Sequence, residues 1–160
     1  MIYVLGKGDR MFTIRLAEHK DLEFLKASYK LLDSAMNKLL SQLMGTAEDD
    51  GTEQPDEYWM DLIEQKSGYI LVAMEDNKPA GMAVVHKVDE HEAHLEDLVV
   101  WPDFRRHGIG QALVKEAKDF AIQKGYKYMS LNVLPNNENA IPIYKNEGFK
   151  ERKISMLCRL

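Results

Sequence analysis

The segment Arg105-Arg106-His107-Gly108-Ile109-Gly110 sets three basic side chains directly ahead of two glycines, where the apolar run "DLVV" gives way to the helical pattern "IGQALVKEAKDF". An ordinary strand-to-helix turn needs no such composition, so the glycines predict a backbone that comes close to something. An anion fits. The first turn of a helix leaves N–H groups without intrahelical partners and carries the positive end of the helix dipole, so it holds a phosphate before any side chain contributes. Gly108 and Gly110 let the chain turn and the ligand approach, and Arg105, Arg106 and His107 add charge around it. A tight turn with a solvated basic rim is the alternative that this segment alone leaves open.

The whole chain narrows the choice of anion. With 160 residues and a formal net charge of -5, the basic run is a local patch on an acidic chain. A general nucleic-acid binder would need a basic surface, so a small anionic ligand is expected instead. No apolar run approaches the ~20 residues of a membrane span, and "MIYVLGKGDRMF" has neither the long apolar stretch nor the small-residue site of a signal peptide. A cytoplasmic protein that binds neither nucleic acid nor membrane is the expectation. The one cysteine, Cys158, excludes an internal disulfide framework, and its neighbours "ISMLCRL" read as strand, so it is taken as packing.

The elements that must carry the anion site can be read from periodicity. A strand is expected around Phe12 to Leu16, then a helical stripe from Glu18 to Met44 formed by Leu22, Leu25, Tyr29, Leu32, Met36, Leu39 and Leu43, with Gly45 as its stop. The acidic stretch "TAEDDGTEQPDE" reads as a loop leading into a short helix with Trp59, Leu62 and Ile63 inward. Three strands follow, "YILVAM", "AGMAVVHKV" and "AHLEDLVV", joined by the turns "EDNKP" and "DEHE". They predict an antiparallel meander. A helix over 108–124 with Ile109, Leu113, Ala117, Phe120 and Ala121 on one face, then the strand "YMSLNVL", make a crossover that favours one parallel pair. A short helix within "NENAIPIYKNEGF" and a last strand near Ile154 to Leu160 complete the reading. The fold class is therefore mixed α/β, a central and largely antiparallel sheet with helices on both faces, in one domain over 1–160.

Two motifs in this order resemble those of the GCN5-related N-acetyltransferases. Arg105, Gly108 and Gly110 match that family's acetyl-CoA-binding pattern, and Asn137, Ala140, Tyr144, Gly148 and Phe149 match its second element. The resemblance is clear from about Tyr69 onward; before that only the order of elements agrees. It implies acetyl-CoA as co-substrate, with the backbone of Leu98, Val99 and Val100 pairing with the pantetheine arm as though it were another strand. It further implies that the amides of Arg106, His107, Gly108, Ile109, Gly110 and Gln111 cradle the pyrophosphate, and that Asn137 lies near the cofactor arm. No metal is expected, and a homodimer is, since relatives often pair.

Acetyl transfer to a primary amine needs that amine uncharged, although a reference pKa of ~10.4 keeps nearly all of it protonated at neutral pH. A base is required, and Glu96 and Asp97 lie on the strand that would flank the thioester. Strand alternation directs only one of them to the substrate unless a bulge intervenes. Glu96 is preferred as base and substrate ligand, because the "LED" run is similar to polyamine acetyltransferases in which a glutamate here is linked to amine activation. Some relatives acting on protein N-termini carry a glutamate base where this chain has Asn132, which shifts weight to Glu96 and leaves Asn132 to orient a water or the substrate. Tyr144 is the candidate acid, its phenol (~10) protonated at neutral pH and able to protonate a thiolate whose conjugate acid is ~8.5 by analogy with cysteine.

His91 and His94 straddle a turn without clustered cysteines, a weak basis for a zinc site, and His86 and His94 are assigned to sheet faces. The acidic residues Glu48, Asp49, Asp50, Glu53, Asp56 and Glu57 would draw a cationic substrate. The resulting reading is an N-acetyltransferase for a small cationic amine, acting by direct attack in a ternary complex. Its alternatives are a peptide N-terminus or lysine as acceptor, or a non-catalytic module that binds coenzyme A. A dinucleotide-binding fold is disfavoured, because the glycines follow an antiparallel meander and the three-glycine fingerprint is missing.

Overall fold

A computed structural model describes residues 2–5, 11–45 and 53–156. Its elements in chain order are β1 (Ile2–Leu5), β2 (Met11–Leu16), α1 (Leu22–Met44), α2 (Asp56–Ile63), β3 (Gly68–Glu75), β4 (Lys78–Lys87), β5 (Glu92–Val100), α3 (Ile109–Gln123), β6 (Tyr128–Leu131) and α4 (Ile141–Asn146). The six strands form one sheet in the order β1-β2-β3-β4-β5-β6, antiparallel throughout except for the parallel β5–β6 pair.

The near-continuous burial of β3 and β4 follows from helices on both faces of the sheet. Ile70, Val72, Met82 and Val84 enter a core with Leu25 of α1 and Trp59 and Leu62 of α2. Their alternate neighbours Leu71, Ala73, Ala83 and Val85 join Phe12, Ile14 and the α3 residues Ile109, Leu113, Val114, Ala117 and Ala121 on the opposite side. The turn between β3 and β4 is two residues long, and Asp76 and Asn77 both take positive φ, the backbone a tight hairpin requires. Arg15 closes the corner between β2 and α1 with two bonds to the buried Asp21 carboxylate, at 2.7 and 2.9 Å.

Several expectations need correction. The strand at Ile2–Leu5 was not foreseen; it pairs with β2. The stripe on α1 is a single long helix ending at a left-handed Gly45, but only Leu25 and Ser28 are fully buried, and Leu43 is 46% exposed. The helix outruns the sheet it covers, so its last turns find no core. β6 stops at Leu131 and does not run on to Leu134. Residues 151–156 form no strand, and the rest of the expected last strand, Cys158 included, lies outside the described residues.

Candidate functional site

The site is built where β5 loses its neighbour. β6 pairs with β5 only from Glu92↔Tyr128 to Leu95↔Leu131, so beyond Leu95 that edge of β5 has no strand beside it among the described residues. On its other edge Leu98, Val99 and Val100 remain paired with Ala83, Met82 and Gly81 of β4. One side of this stretch is therefore fixed and the other is open to an extended ligand.

The open edge leads to the start of α3. Gly108 sits at the helix start with φ +90, a left-handed conformation that disfavours any side chain, and a Cβ there would meet nothing within 4 Å. The Ala112 N–H bonds to the Gly108 carbonyl at 3.1 Å, so the amides of Ile109, Gly110 and Gln111 precede the helical ladder, and no side chain caps them. A Cβ on Gly110 would touch Ile143 and Val100 at ordinary distances of 3.4 and 3.6 Å. Packing alone does not demand glycine there; room for a ligand gives it a reason.

The basic side chains are less free than their sequence order implied. Arg105 Nε donates to the Val100 carbonyl at 3.0 Å, tying the loop to the strand. His107 turns inward, its Nδ1 3.0 and 3.2 Å from the two oxygens of the buried Glu75 carboxylate, so its side chain anchors the loop to β3. Arg106 takes a positive φ of 68, a strain carried by the loop itself.

Glu96 is the extra residue of a β-bulge. Val84 pairs with Asp97 and Val85 with Leu95, leaving Glu96 without a partner on β4. Leu95 faces the α3 side, and simple alternation would send Asp97 there too. The bulge resets the parity, so Leu98 and Val100 now pack on the α3 side while Val99, and with it Asp97, faces α1 and α2. Glu96 also lies on that face, its Oε2 3.4 Å from His94 Nε2. The bulge that would interrupt strand alternation is thus present, and it puts both carboxylates on one face of the sheet.

The two carboxylates differ in environment. Glu96 is about half exposed, whereas Asp97 is 7% exposed and its Oδ2 has no hydrogen-bond partner. Burial first, and the charge of Glu96 second, push the Asp97 carboxyl up to about 7. Around them stands a polar ring that sequence reasoning did not assemble. The Tyr58 hydroxyl of α2 lies 2.9 Å from His86 Nε2, His94 Nδ1 lies 2.8 Å from Ser130 Oγ, and Asn132 Nδ2 lies 3.4 Å from His94 Nε2. Burial holds the His86 imidazole below its usual range, which favours the neutral ring. The signal for Asp97 was present in "LED", but only a bulge that leaves no trace in composition makes it face inward.

Tyr144 stands on α4, which is clamped to α3 by three contacts of Glu147: its carbonyl accepts from Lys118 Nζ at 2.5 Å, its carboxylate accepts from Gln111 Nε2 at 3.1 Å, and it lies 3.5 Å from Lys118. Burial, then the charge of Asp97, push the Tyr144 phenol up to about 12. Its proton therefore stays on the oxygen throughout the neutral range. Asn137 Oδ1 accepts from the Ala140 N–H at 3.2 Å, so this side chain shapes the approach to α4.

A cavity of about 260 Å³ between α1 and α2 is lined by Lys26, Tyr29, Lys30, Gln54 and Trp59 among others. Of the acidic run, Glu53 pairs with Lys30 at 2.5 Å and Asp56 with Lys26, which cancels much of its pull on a cation, and Glu48, Asp49 and Asp50 lie outside the described residues. Among the described residues no group of three potential ligands gathers to hold a metal, and no helix is long and apolar enough to cross a membrane.

Residues 32–149 match the family model described as the acetyltransferase (GNAT) family. An uncharacterized N-acetyltransferase of Methanocaldococcus jannaschii is 30% identical over 103 residues, 61% of this chain and 46% of that protein. N-alpha-acetyltransferase 60 of Danio rerio is 31% identical over 121 residues, 62% of this chain and 50% of that one. A thialysine N-epsilon-acetyltransferase of Caenorhabditis elegans is 34% identical over 86 residues, 51% of this chain and 54% of that one. The chain thus spans about half the length of these relatives. In fold it is similar to a tetramutant of the BH1408 protein from Bacillus halodurans, with a TM-score of 0.77 at 18% identity, covering 92% and 99% of the two chains. It is also similar to the aminoglycoside N-acetyltransferase AAC(6')-Iy solved with CoA, with a TM-score of 0.68 at 20% identity, covering 93% and 94%.

Proposed function

Because the chain belongs to the GNAT acetyltransferase family, we propose that it transfers the acetyl group of acetyl-CoA to a primary amine, with a small cationic amine as acceptor. The observation that carries this reading is the parting of β5 from β6 after Leu95, which opens a strand edge running to the uncapped amides at the start of α3. An extended pantetheine arm suits that edge, and a diphosphate suits the amides of Ile109, Gly110 and Gln111. The open space above Gly108 favours the same fit. Acetyl-CoA supplies the activated acyl group; the protein's part is to place and deprotonate the amine and to protonate the departing sulfur.

Glu96 and Asp97 supply negative charge at the inner end of the open edge, which favours an ammonium over a neutral acceptor. Proton removal falls to this pair, with Glu96 on the side open to the acceptor. Tyr144, kept protonated by burial and by Asp97, delivers a proton to sulfur as the thiolate forms. Asn132, beside His94 at the mouth, orients the amine or a water. The proposal includes a single acetyltransferase domain over 1–160, working in the cytoplasm as a homodimer, and sedimentation of the purified protein tests the last point.

Free-thiol release from acetyl-CoA across amines, polyamines and peptides tests the reading, with calorimetry of acetyl-CoA binding beside it. Turnover is expected with a small diamine or polyamine, and Tyr144→Phe is expected to lower the rate by about 10²-fold or more. The similarity to an N-alpha-acetyltransferase favours a peptide N-terminus as the second acceptor class, and preference for peptides in the same panel would replace the small amine. Binding heat without turnover of any amine would mark a module that holds the cofactor only. No binding heat at all would overturn the reading.

A further inference from the structure

We propose that the two bulge carboxylates divide the activation of the amine: Glu96, at the open edge, holds the incoming ammonium, and Asp97, one residue deeper, removes its proton. The inference rests on the acetyl-transfer reading and reassigns its base.

A carboxylate sealed from water without a partner is costly, and native structures rarely keep one without a use. Asp97 is such a group: 7% exposed, its Oδ2 without a hydrogen bond, and no lysine, arginine or histidine paired with it among the described residues. Nor is its position a by-product of strand alternation. Without the bulge at Glu96, Asp97 would share the α3-side core with Leu95; with it, Asp97 faces the α1 and α2 side, on the stretch of β5 that β6 no longer flanks. The titratable groups that face it are Glu96 on its own strand, Tyr58 from α2 and Tyr144 from α4, with His86 and His94 beyond Glu96. None of these neutralises it. The same surroundings bring its titration to about 7, so base and conjugate acid are both populated at neutral pH, the condition for efficient proton removal. Glu96, about half exposed and 3.4 Å from His94, is instead open to solvent and suited to meeting a cation at the mouth.

The proton account closes. Asp97 Oδ2 takes one proton from the ammonium held by Glu96. The freed nitrogen pair forms the C–N bond to the thioester carbon, and the C–S bond breaks with its electron pair on sulfur. Tyr144 protonates the sulfur, and the new amide nitrogen returns a proton to the Tyr144 oxygen. Asp97 then releases its proton to solvent past Glu96. An ammonium and an acetyl thioester become an amide, a thiol and one free proton.

The test is single-turnover acetylation by the purified full chain as a function of pH, using the amine turned over fastest in the panel. Wild type is expected to gain rate through a limb near pH 7, where Asp97 ionises. Asp97→Asn is expected to lose about 100-fold or more and to lose the limb, with its acetyl-CoA affinity by calorimetry within about twofold of wild type. Asp97→Glu should recover part of the rate with the limb displaced, an effect that a merely structural residue would not show. Glu96→Gln should raise the amine KM and keep the limb. A second readout needs no turnover: infrared spectra of wild type should show a carboxyl group titrating near neutral pH that Asp97→Asn removes. An Asp97→Asn enzyme within about threefold of the wild-type rate, or one that keeps the limb, would overturn the division of roles. So would spectra in which no carboxyl titrates near neutral pH. Absence of acetyl-CoA binding by wild type would overturn the acetyl-transfer reading itself, and this assignment with it.

Discussion

Replacing Asp97 by asparagine should make the protein's stability less sensitive to alkali. In the unfolded chain the carboxyl ionises near its ordinary ~3.9. In the fold, burial and Glu96 hold it to about 7. A group whose folded value is raised favours the fold fully below the unfolded value and loses that contribution as pH rises through the folded one. The window is therefore from about pH 4 to just above 7. A difference of about three pH units at ~1.4 kcal/mol each sets a ceiling of about 4 kcal/mol, which structural relaxation and water entry around the charge will reduce. Urea unfolding of wild type and Asp97→Asn at a series of pH values isolates this contribution, because every other titrating group is common to both. The stability difference should move toward the variant by about 1–3 kcal/mol between pH 5 and pH 8.5, because about two of the three pH units fall in that range. Parallel stability curves, with a constant offset across that range, would show that Asp97 titrates as an ordinary carboxylate and would refute the reasoning.

Three further outcomes follow from named contacts. Gly108→Ala forces a side chain onto a φ of +90, which should cost about 1 kcal/mol of stability in urea unfolding, while its Cβ enters the ligand's space and raises the acetyl-CoA Kd by about tenfold or more in calorimetry; an unchanged Kd would remove this helix start from the site. Arg15→Ala strips the buried Asp21 carboxylate of its two bonds and should lower unfolding free energy by about 3 kcal/mol, where a loss under about 1 kcal/mol would show the corner to be held otherwise. Glu147→Ala removes the carboxylate bond from Gln111 and the ion pair with Lys118, leaving the backbone bond, and should lower kcat several-fold through misplacement of Tyr144 with little change in overall stability; an unaltered kcat would separate the α3–α4 clamp from the chemistry.

The sequence by itself determined the parts of this protein whose signals are local. Apolar periodicity marked β2 to β5 and the two main helices, "EDNKP" marked a hairpin that the positive φ of Asp76 and Asn77 completes, and the glycines of "RRHGIG" marked a helix start that could face an anion. These hold because each depends on residues a few positions apart. What tertiary structure decided depends on pairing between distant segments. β6 ends at Leu131, so β5 keeps an open edge, although "YMSLNVL" reads as strand to its last residue. His107, basic and beside the glycines, turns to Glu75 because β3 brings a buried carboxylate beneath the loop. The face that Asp97 takes was decided the same way. Alternation along β5 is a local rule, but the bulge that breaks it exists only in the register with β4, where Val84 meets Asp97 and Val85 meets Leu95. A one-residue change of register exchanges the faces of every residue beyond it, and no pattern within a single strand records where that exchange falls.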